Sequence, residues 1–356
     1  MCRLLKKYTL VVLLVFQTCL ETGNVWAQDP AFSMAYMSPL YLSPSFAGLT
    51  NGTRLSMAYR DQWPGIPNTY TNVAVSLDHF MPKYKSGIGL LYSRDSRGGG
   101  QLQTQDIGFL YSYEIEVLHE LYVRPGISFK YAERRIDPSK IIYGSQLGAD
   151  GEPLPGFIPT FDREAYRKLD AGASAMLYSD FFWVGFSLDH LIKNNVGFTD
   201  MATAVPIRTA VYGGYKYKYK ESYRNSDEQS VTLAMNYYRQ QDFHQLDAGA
   251  YWYMNPFELG VLYRGLPVFE YEGYSNNDAL IMIVGVTLGT IQFAYSHDFT
   301  ISKLGGQSSG ANEIALIYRF NQNYKSKPYR GAIPCSGSGG NIGGSSNSRQ
   351  KARKFF

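Results

Sequence analysis

The chain has 356 residues, a formal net charge of +4 and a charged fraction of only 18%, and it is rich in tyrosine (30) and glycine (35). This balance gives no indication of a nucleic-acid partner. A mean hydropathy of −0.24 argues against a helical membrane protein, whereas many short alternating segments rich in Tyr, Phe and Gly predict an all-β fold.

The first 27 residues have the layout of a cleaved secretory signal peptide. A basic start precedes an apolar run over Tyr8–Leu20, and the small residue Ala27 closes the segment. The run is shorter than the roughly 20 residues of a spanning helix, which disfavours an uncleaved anchor. The residues before Cys19 make a poor lipidation motif, which disfavours a lipoprotein. We expect an exported mature chain that begins at Gln28 and holds one cysteine, Cys335, without an internal disulfide.

Residues 28–52 form a distinct N-terminal segment. Its prolines disfavour pairing as a strand. We expect this segment to lie on the periplasmic side, packed in the lumen of the β-structure that follows or beneath it.

Fourteen β-strands are predicted over residues 53–320. They start near Thr53, Thr69, Ser86, Gln103, Glu120, Lys168, Phe181, Pro206, Ser230, Gln245, Pro256, Ala279, Thr290 and Ala311. Most alternate between apolar and small or polar residues, but residues 279–289 are apolar on both faces. In an exported chain this pattern predicts a transmembrane antiparallel β-barrel of about 14 strands.

The lengths of the connections support a barrel and suggest its orientation. Outer-membrane barrels have short periplasmic turns and longer outer loops. Short turns at 178–181, 254–257 and 288–291 follow even-numbered strands, and long connections at about 134–167, 189–205, 264–278 and 298–310 follow odd-numbered strands. The charged connection 220–229 is an exception. We therefore expect the N- and C-termini to be periplasmic.

Two predicted strands share the tetrapeptide Ser-Leu-Asp-His near their ends, in "VAVSLDHF" (Val73–Phe80) and "VGFSLDHL" (Val184–Leu191). A Ser/His/Asp hydrolase needs its serine and histidine within about 3 Å of each other. Side chains alternate along a strand, so each serine and aspartate is predicted to face the lumen and each histidine the lipid. These residues are Ser76, Asp78 and His79 in the first copy and Ser187, Asp189 and His190 in the second. We interpret them as strand ends and expect no enzyme.

No cofactor or metal site is predicted. The histidines are scattered, and one cysteine remains after the signal, so the spacing of metal ligands is missing. The triple glycine at 98–100 lacks the lysine and helix of a phosphate loop.

The last 36 residues, 321–356, are Gly/Ser-rich and carry seven basic residues and no acidic one. Such a composition does not bury enough apolar surface to fold alone. Removing the signal takes the chain from +4 to +2, so residues 28–320 hold about −5 and the charge is segregated. The tail is either a solvated extension or a periplasmic arm that docks on an acidic partner or the cell wall.

Five stretches resemble the PorP/SprF family of type IX secretion-associated outer-membrane proteins. They are "QDPAFSMAYMSPLYLSPSFAGL" (28–49), "YRDQWPGIPNTY" (59–70), "FWVGFSLDHL" (182–191), "YSHDFTISKL" (295–304) and "ANEIALIYRF" (311–320). Ser43 stands where the family has asparagine, and Asn312 where a histidine is more usual. The ordered set is specific, although each motif alone is weak.

The resemblance implies a non-enzymatic outer-membrane barrel of the type IX machinery. Its implied partners are outer-membrane lipid, periplasmic ring and motor proteins, and secreted cargo with a C-terminal sorting domain. Three contact regions are predicted, and for each a structural role as plug, loop brace or solvated tail stays open. The candidate residues are Asp29, Pro30, Phe32, Pro44, Phe46 and Gly48 in the N-terminal segment, Arg60, Gln62 and Trp63 in an outer loop, and Lys325, Lys327, Arg330, Arg353 and Lys354 in the tail.

A passive channel for small or hydrophobic molecules is the alternative. It predicts a pore or an apolar lumen site and no stable protein partner. The expected lumen-facing residues are mostly Gly, Ala, Ser and Asp, which neither build an apolar pocket nor exclude a channel.

Overall fold

A computed structural model describes residues 29–50, 52–66, 69–140, 165–193, 204–220, 229–271, 274–302 and 308–320. The predicted signal peptide, Cys335 and the basic tail lie outside these residues. Among the described residues, no helix is long and apolar enough to cross a membrane.

The described strands form one antiparallel sheet that closes on itself. They are β1 (Thr53–Gln62), β2 (Tyr70–Met81), β3 (Ser86–Arg97), β4 (Leu102–Tyr113), β5 (Ile115–Leu118), β6 (Leu121–Ile136), β7 (Ala165–Tyr178), β8 (Phe182–Asp189), β9 (Arg208–Lys220), β10 (Gln229–Gln240), β11 (Phe243–Met254), β12 (Phe257–Tyr271), β13 (Tyr274–Leu288), β14 (Ile291–Thr300) and β15 (Ala311–Phe320). Strand β1 pairs with β15 and β4 pairs with β6, which closes the ring. The short β5 continues β4 along β6, so the wall has the predicted 14 strands.

One predicted connection is wrong. Residues 264–278, expected to be a loop, lie mostly in β12 and β13, which extend as a hairpin beyond Arg264. The register of this pair shifts at Arg264/Gly265 and at Leu266/Glu270. Such bulges interrupt the alternation of side chains, which is why the polar sequence there does not show the period of a strand.

The wall presents apolar side chains outward and polar ones inward. Met57, Leu77 and Leu90 are exposed on the outer surface, whereas Ser56 and Asp78 on the same strands are buried inside. In a closed ring each strand pairs with a neighbour on both sides, and an apolar outer face suits the hydrocarbon of a bilayer.

Residues Asp29–Thr50 lie inside the barrel, and we call this segment the plug. It contains a 3₁₀ turn (Ala35–Met37), the one-turn helix α1 (Pro39–Leu42) and a second 3₁₀ turn (Pro44–Phe46). The plug begins beside the C-terminal ends of β8 and β10, at the end of the barrel that carries the long connections, which we call the long-loop end. It finishes beside the start of β1, at the end that carries the short turns, which we call the short-turn end. The plug therefore runs through the lumen along the barrel axis.

The plug explains the stretch that is apolar on both faces. Ile281 and Ile283 on the inner face of β13 are fully buried in a cluster with Met34 and Met37 of the plug. Their inward positions meet protein rather than water, so apolar residues are favourable there.

Candidate functional site

The contacts between the plug and the barrel wall form a buried polar site. Near the long-loop end, the hydroxyl of Ser33 donates to Asp298 Oδ2 at 2.7 Å and accepts from Arg60 Nη1 at 2.6 Å. Arg264 Nη2 donates to the same hydroxyl at 3.0 Å. The carboxylate of Glu313 accepts the backbone N–H groups of Ser33 at 2.7 Å and Met34 at 3.0 Å. One turn of the plug is thus bound by β1, β12, β14 and β15.

The charges of this cluster are paired. Arg60 Nη2 lies 2.7 Å from Asp298, and Arg264 lies 2.8 Å from Asp247 and 3.0 Å from Asp298. Arg60 is only 2% exposed. Buried ions are tolerated when paired and hydrogen-bonded, and removing one partner is strongly destabilising.

A second polar cluster holds the other end of the plug. Asp78 Oδ1 accepts from Arg54 Nε at 2.8 Å, and Asp78 Oδ2 accepts the backbone N–H of Gly48 at 2.8 Å. The carbonyl of Ala47 accepts from Ser112 Oγ and from Arg124 Nη2, both at 2.8 Å. These bonds satisfy plug backbone groups that have no strand partner.

Two wall glycines allow the plug backbone to pack against the sheet. A Cβ atom at Gly87 would lie 1.9 Å from the carbonyl oxygen of Ala47, and one at Gly126 would lie 2.5 Å from the backbone nitrogen of Ser45. Both distances are below van der Waals contact, so glycine is required for this approach.

The paired "SLDH" motifs turn out to bind the plug. Asp78 of the first copy binds Arg54 and Gly48 as above, and Ser187 of the second copy donates to the carbonyl of Leu42 at 2.9 Å. Both serines and both aspartates face the lumen, as predicted. In neither copy is the serine hydrogen-bonded to the histidine of the same motif: Ser187 bonds the plug, and His190 bonds Asp170 and Asp29.

The prediction that His190 faces the lipid is wrong. Strand β8 ends at Asp189, and His190 has a positive φ of 62°, which interrupts the alternation and turns its ring inward. Its Nδ1 is hydrogen-bonded to Asp170, and its Nε2 lies 2.5 Å from Asp29 Oδ2. His190 therefore links the start of the plug to β7.

Electrostatics favours the charged form of this link. Burial by itself disfavours an imidazolium, but the carboxylates of Asp29 and Asp170 more than offset it and raise the pKa of His190 to about 9. Burial alone would raise the pKa of Asp29, yet His190 and Arg208 hold it far below its usual range. At neutral pH the link is an ion pair.

The structure brings two of the predicted contact regions together. Asp29, Pro30, Phe32, Pro44, Phe46 and Gly48 all belong to the plug, and Arg60 contacts it from β1. Pro44, Phe46 and Gly48 are buried near the short-turn end, whereas Gln62 and Trp63 lie at the long-loop end. The five tail residues lie outside the described part of the chain.

The sequence interpretation missed several residues that bind the plug. Glu313 and Arg264 are among them, and both contact Ser33 of the plug. Each is a charged residue at a lumen-facing position of a strand. A buried charge is stable only with a partner, so a charge at such a position was the signal in the sequence for a contact with the plug.

An open cavity of about 540 Å³ lies at the long-loop end, above the start of the plug. Gln62, Trp63, Tyr70 and Asn72 line one side and Asn276 and Asp278 another, with Asp29 and Pro30 at the base. Among the described residues, no group of three His, Cys, Asp or Glu side chains could hold a metal ion.

Comparison with known proteins gives one match by sequence and several by shape. The family model described as type IX secretion system membrane protein PorP/SprF matches residues 24–318. No curated protein matches the chain.

The similar solved structures have low sequence identity to this chain. The Ralstonia pickettii toluene transporter TbuX has 11% identity and a TM-score of 0.46, with 84% of this chain and 96% of that chain covered. The Acinetobacter baumannii outer membrane protein Omp33 has 9% identity and a TM-score of 0.40, covering 77% and 100%. CdiB from Acinetobacter baumannii has 7% identity and a TM-score of 0.41, covering 75% and 60%.

Proposed function

The chain belongs to the PorP/SprF family of type IX secretion system membrane proteins, and from this premise we propose that it anchors periplasmic ring and motor proteins. In the same role it supports the export or surface attachment of cargo that carries a C-terminal sorting domain. The protein is a component of the outer membrane, and its family and fold are non-enzymatic in kind. Within that class, anchoring and cargo support form our proposal.

The filled lumen is the observation that supports a role in assembly over one in diffusion. The plug is bound at the long-loop end through Ser33 and at the short-turn end through Ala47 and Gly48. A passive pore needs a continuous aqueous path, whereas a barrel that is plugged by its own residues is suited to present surfaces.

We place the short-turn end in the periplasm, where the ring proteins are. Strand β1 begins and β15 ends there, since Thr53 pairs with Phe320. The basic tail follows directly after β15 in the sequence. Its positive charge favours an acidic partner or the cell wall.

The predicted contact residues divide by accessibility. Gln62 and Trp63 are partly exposed at the opposite end and remain candidates for a contact with cargo. Phe32, Pro44, Phe46, Gly48 and Arg60 are buried between plug and wall, so we assign them to holding the plug. Lys325, Lys327, Arg330, Arg353 and Lys354 are retained as the proposed periplasmic contact.

Affinity purification from the native outer membrane in mild detergent tests the anchoring role. We expect ring lipoproteins or a sorting-domain protein in near-stoichiometric amounts. Truncation after Phe320 is expected to reduce recovery of the periplasmic partners, whereas a variant with the tail sequence scrambled at constant charge should retain it. Recovery of the barrel alone, with the rest of the machine intact, would contradict the proposal and favour the channel.

A further inference from the structure

The open cavity at the long-loop end, which we call the mouth cavity, is not used by the proposed anchoring of periplasmic proteins. It lies between β1, β2, β3, β11, β12 and β13, and the start of the plug forms its base. We propose that this cavity binds a short saccharide through Gln62, Trp63, Tyr70, Asn72, Asn276 and Asp278. The inference rests on the lining of the cavity, and it holds or fails independently of the anchoring of periplasmic proteins at the opposite end of the barrel.

The size and the lining of the cavity suit a polyhydroxylated ligand. Its volume of about 540 Å³ lies within the range of small-molecule sites, about 300–1,000 Å³. Such sites are usually lined mainly by apolar side chains. Among the described residues that line this one, only Pro30, Ala31 and Phe243 lack a polar side-chain atom. A hydrophobic molecule would leave most of that lining without partners.

The charges of the lining favour a neutral ligand. Asp29, Asp95 and Asp278 are accompanied by Arg97 and Arg264, so neither sign dominates. A site for a simple ion would concentrate one sign of charge. Carboxylates, amides and guanidinium groups together offer the mixture of donors and acceptors that sugar hydroxyls require.

Two aromatic rings form a fixed edge of the cavity. Trp63 and Tyr70 pack edge to face, with their ring centroids 5.5 Å apart at an interplanar angle of 89°. The backbone N–H of Trp63 donates to the carbonyl of Gly310 at 2.8 Å, which fixes the loop although Trp63 has a positive φ of 60°. Both rings are amphipathic and offer an apolar face beside a polar atom, which suits the C–H face and hydroxyl edge of a sugar ring.

One buried acceptor in the lining has no partner. Asn72 is 4% exposed, and its side-chain Oδ1 makes no hydrogen bond within the described structure. A buried polar atom without a partner destabilises the protein. Asn72 lines the cavity, so a small rotation of its side chain would bring this acceptor within reach of a ligand hydroxyl.

The features that bind a peptide are weak at this position. Peptides commonly add a strand to a free sheet edge or place apolar side chains in a groove. The strands around the cavity are paired on both sides, and the lining is poor in apolar residues. These observations favour a saccharide over a polypeptide segment.

Calorimetric titration of the full chain in detergent tests the proposal. One arm uses the core oligosaccharide released from the lipopolysaccharide of the native outer membrane, and a second uses maltotriose as a free soluble sugar. A hydrophilic Gly/Ser peptide of similar mass is the third ligand. The variants are Trp63→Ala, Asn72→Leu and the conservative Trp63→Tyr. Trp252→Phe, which alters an exposed outer-wall side chain away from the cavity, is the matched control.

We expect saturable binding of at least one sugar, weakened about tenfold or more by Trp63→Ala and by Asn72→Leu. Trp63→Tyr should restore most of the affinity, and Trp252→Phe should leave it unchanged. Binding of the released oligosaccharide alone identifies the membrane surface as the source, and binding of maltotriose as well identifies a general sugar site. The proposal is overturned if neither sugar binds, if only the peptide binds, or if both cavity variants bind like the parent while their thermal unfolding is unchanged.

Discussion

The carboxylate of Glu313 accepts the backbone N–H of Ser33 at 2.7 Å, although the two residues are 280 positions apart. The last strand of the barrel thus binds the first described turn of the chain. This bond and its neighbours hold the plug across the lumen, and they lead to specific expectations.

Replacing Glu313 with alanine is expected to loosen the plug. The change leaves two buried N–H groups without an acceptor and removes a partner of Arg60, whose Nη1 lies 3.5 Å from Glu313. Arg60 keeps Asp298 as its partner, so the main cost is that of the two unpaired N–H groups, about 1–3 kcal/mol each. In planar bilayers the parent should be nearly silent, and Glu313→Ala should show frequent openings. The exposed Glu120 at a short turn gives the control, Glu120→Ala, which should stay silent. Equal conductance of all three proteins would contradict the account of the plug.

A methyl group at Gly126 is expected to push the plug off the wall. Its Cβ would lie 2.5 Å from the backbone nitrogen of Ser45, and overpacking of this kind costs about 1–3 kcal/mol. The change is measured in a variant in which the native cysteines are replaced and Met37 is changed to cysteine. The rate at which this cysteine reacts with maleimide reports how accessible the plug is. Labelling should be slow in the parent and faster in Gly126→Ala.

Gly285→Ala is the matched control for that substitution. The nearest atom to its Cβ would be 3.4 Å away, an ordinary contact. Gly285→Ala should leave unchanged both the rate of maleimide labelling and the urea concentration at the midpoint of unfolding. Indistinguishable behaviour of the two alanine variants would show that the approach of the plug to β6 is not tight.

The ion pair of Asp29 and His190 predicts a dependence on pH. Because the pKa of His190 is raised to about 9, its contribution to stability is complete below its ordinary value near 6.5 and is lost as pH rises through about 9. The pKa of Asp29 is lowered, so its contribution is complete above about pH 4 and is lost only in stronger acid. The start of the plug should therefore loosen between about pH 8 and pH 10.

Imidazole NMR of the full chain in detergent measures this titration. Asp29→Asn should move the transition of His190 towards neutral pH, and His190→Gln should abolish the change in maleimide labelling near the start of the plug. A transition of His190 near pH 6.5 in the parent would refute the ion pair.

The outer face of β3 predicts a depth-dependent penalty. Leu90 is 54% exposed near the middle of its strand, whereas Leu91 beside it is buried. Arginine facing lipid at the midplane costs about 2–4 kcal/mol, falling to about 0–1 near the interfaces. The free energy of folding into lipid vesicles should therefore be about 2–4 kcal/mol less favourable for Leu90→Arg than for the parent. Tyr84→Arg, in the short turn before β3, should fold almost as favourably as the parent. Equal effects would mean that Leu90 does not face the bilayer core.

The wall of the barrel was readable from the sequence, because alternation and turn residues are local signals. The predicted starts near Thr53, Ser86 and Ala311 agree with the structure, and those of β2, β4 and β8 differ by one residue. The extension of β12 and β13 beyond Arg264 was missed because its bulges interrupt the alternation. In these regions the periodic pattern decided how well the strand limits could be predicted.

The contacts of the plug were only partly readable. The predicted inward direction of Asp78 and Ser187 was confirmed, but their bonds to Gly48 and Leu42 depend on where an unpaired segment lies in three dimensions. His190 was placed on the wrong face because a single positive φ after β8 reverses the direction that alternation assigns. Neither feature has a local sequence period.

The passage of Asp29–Thr50 through the barrel has a consequence for biogenesis. The seam of the ring is the pairing of β1 with β15, and β15 carries Glu313, which binds the start of the plug. The plug must be inside the barrel before β1 pairs with β15, or it must enter the closed barrel later, past the Arg60–Asp298 ion pair. In the first route β15 closes against Ser33 and Met34 of the plug, so residues 29–50 would serve as a template for the last step of assembly.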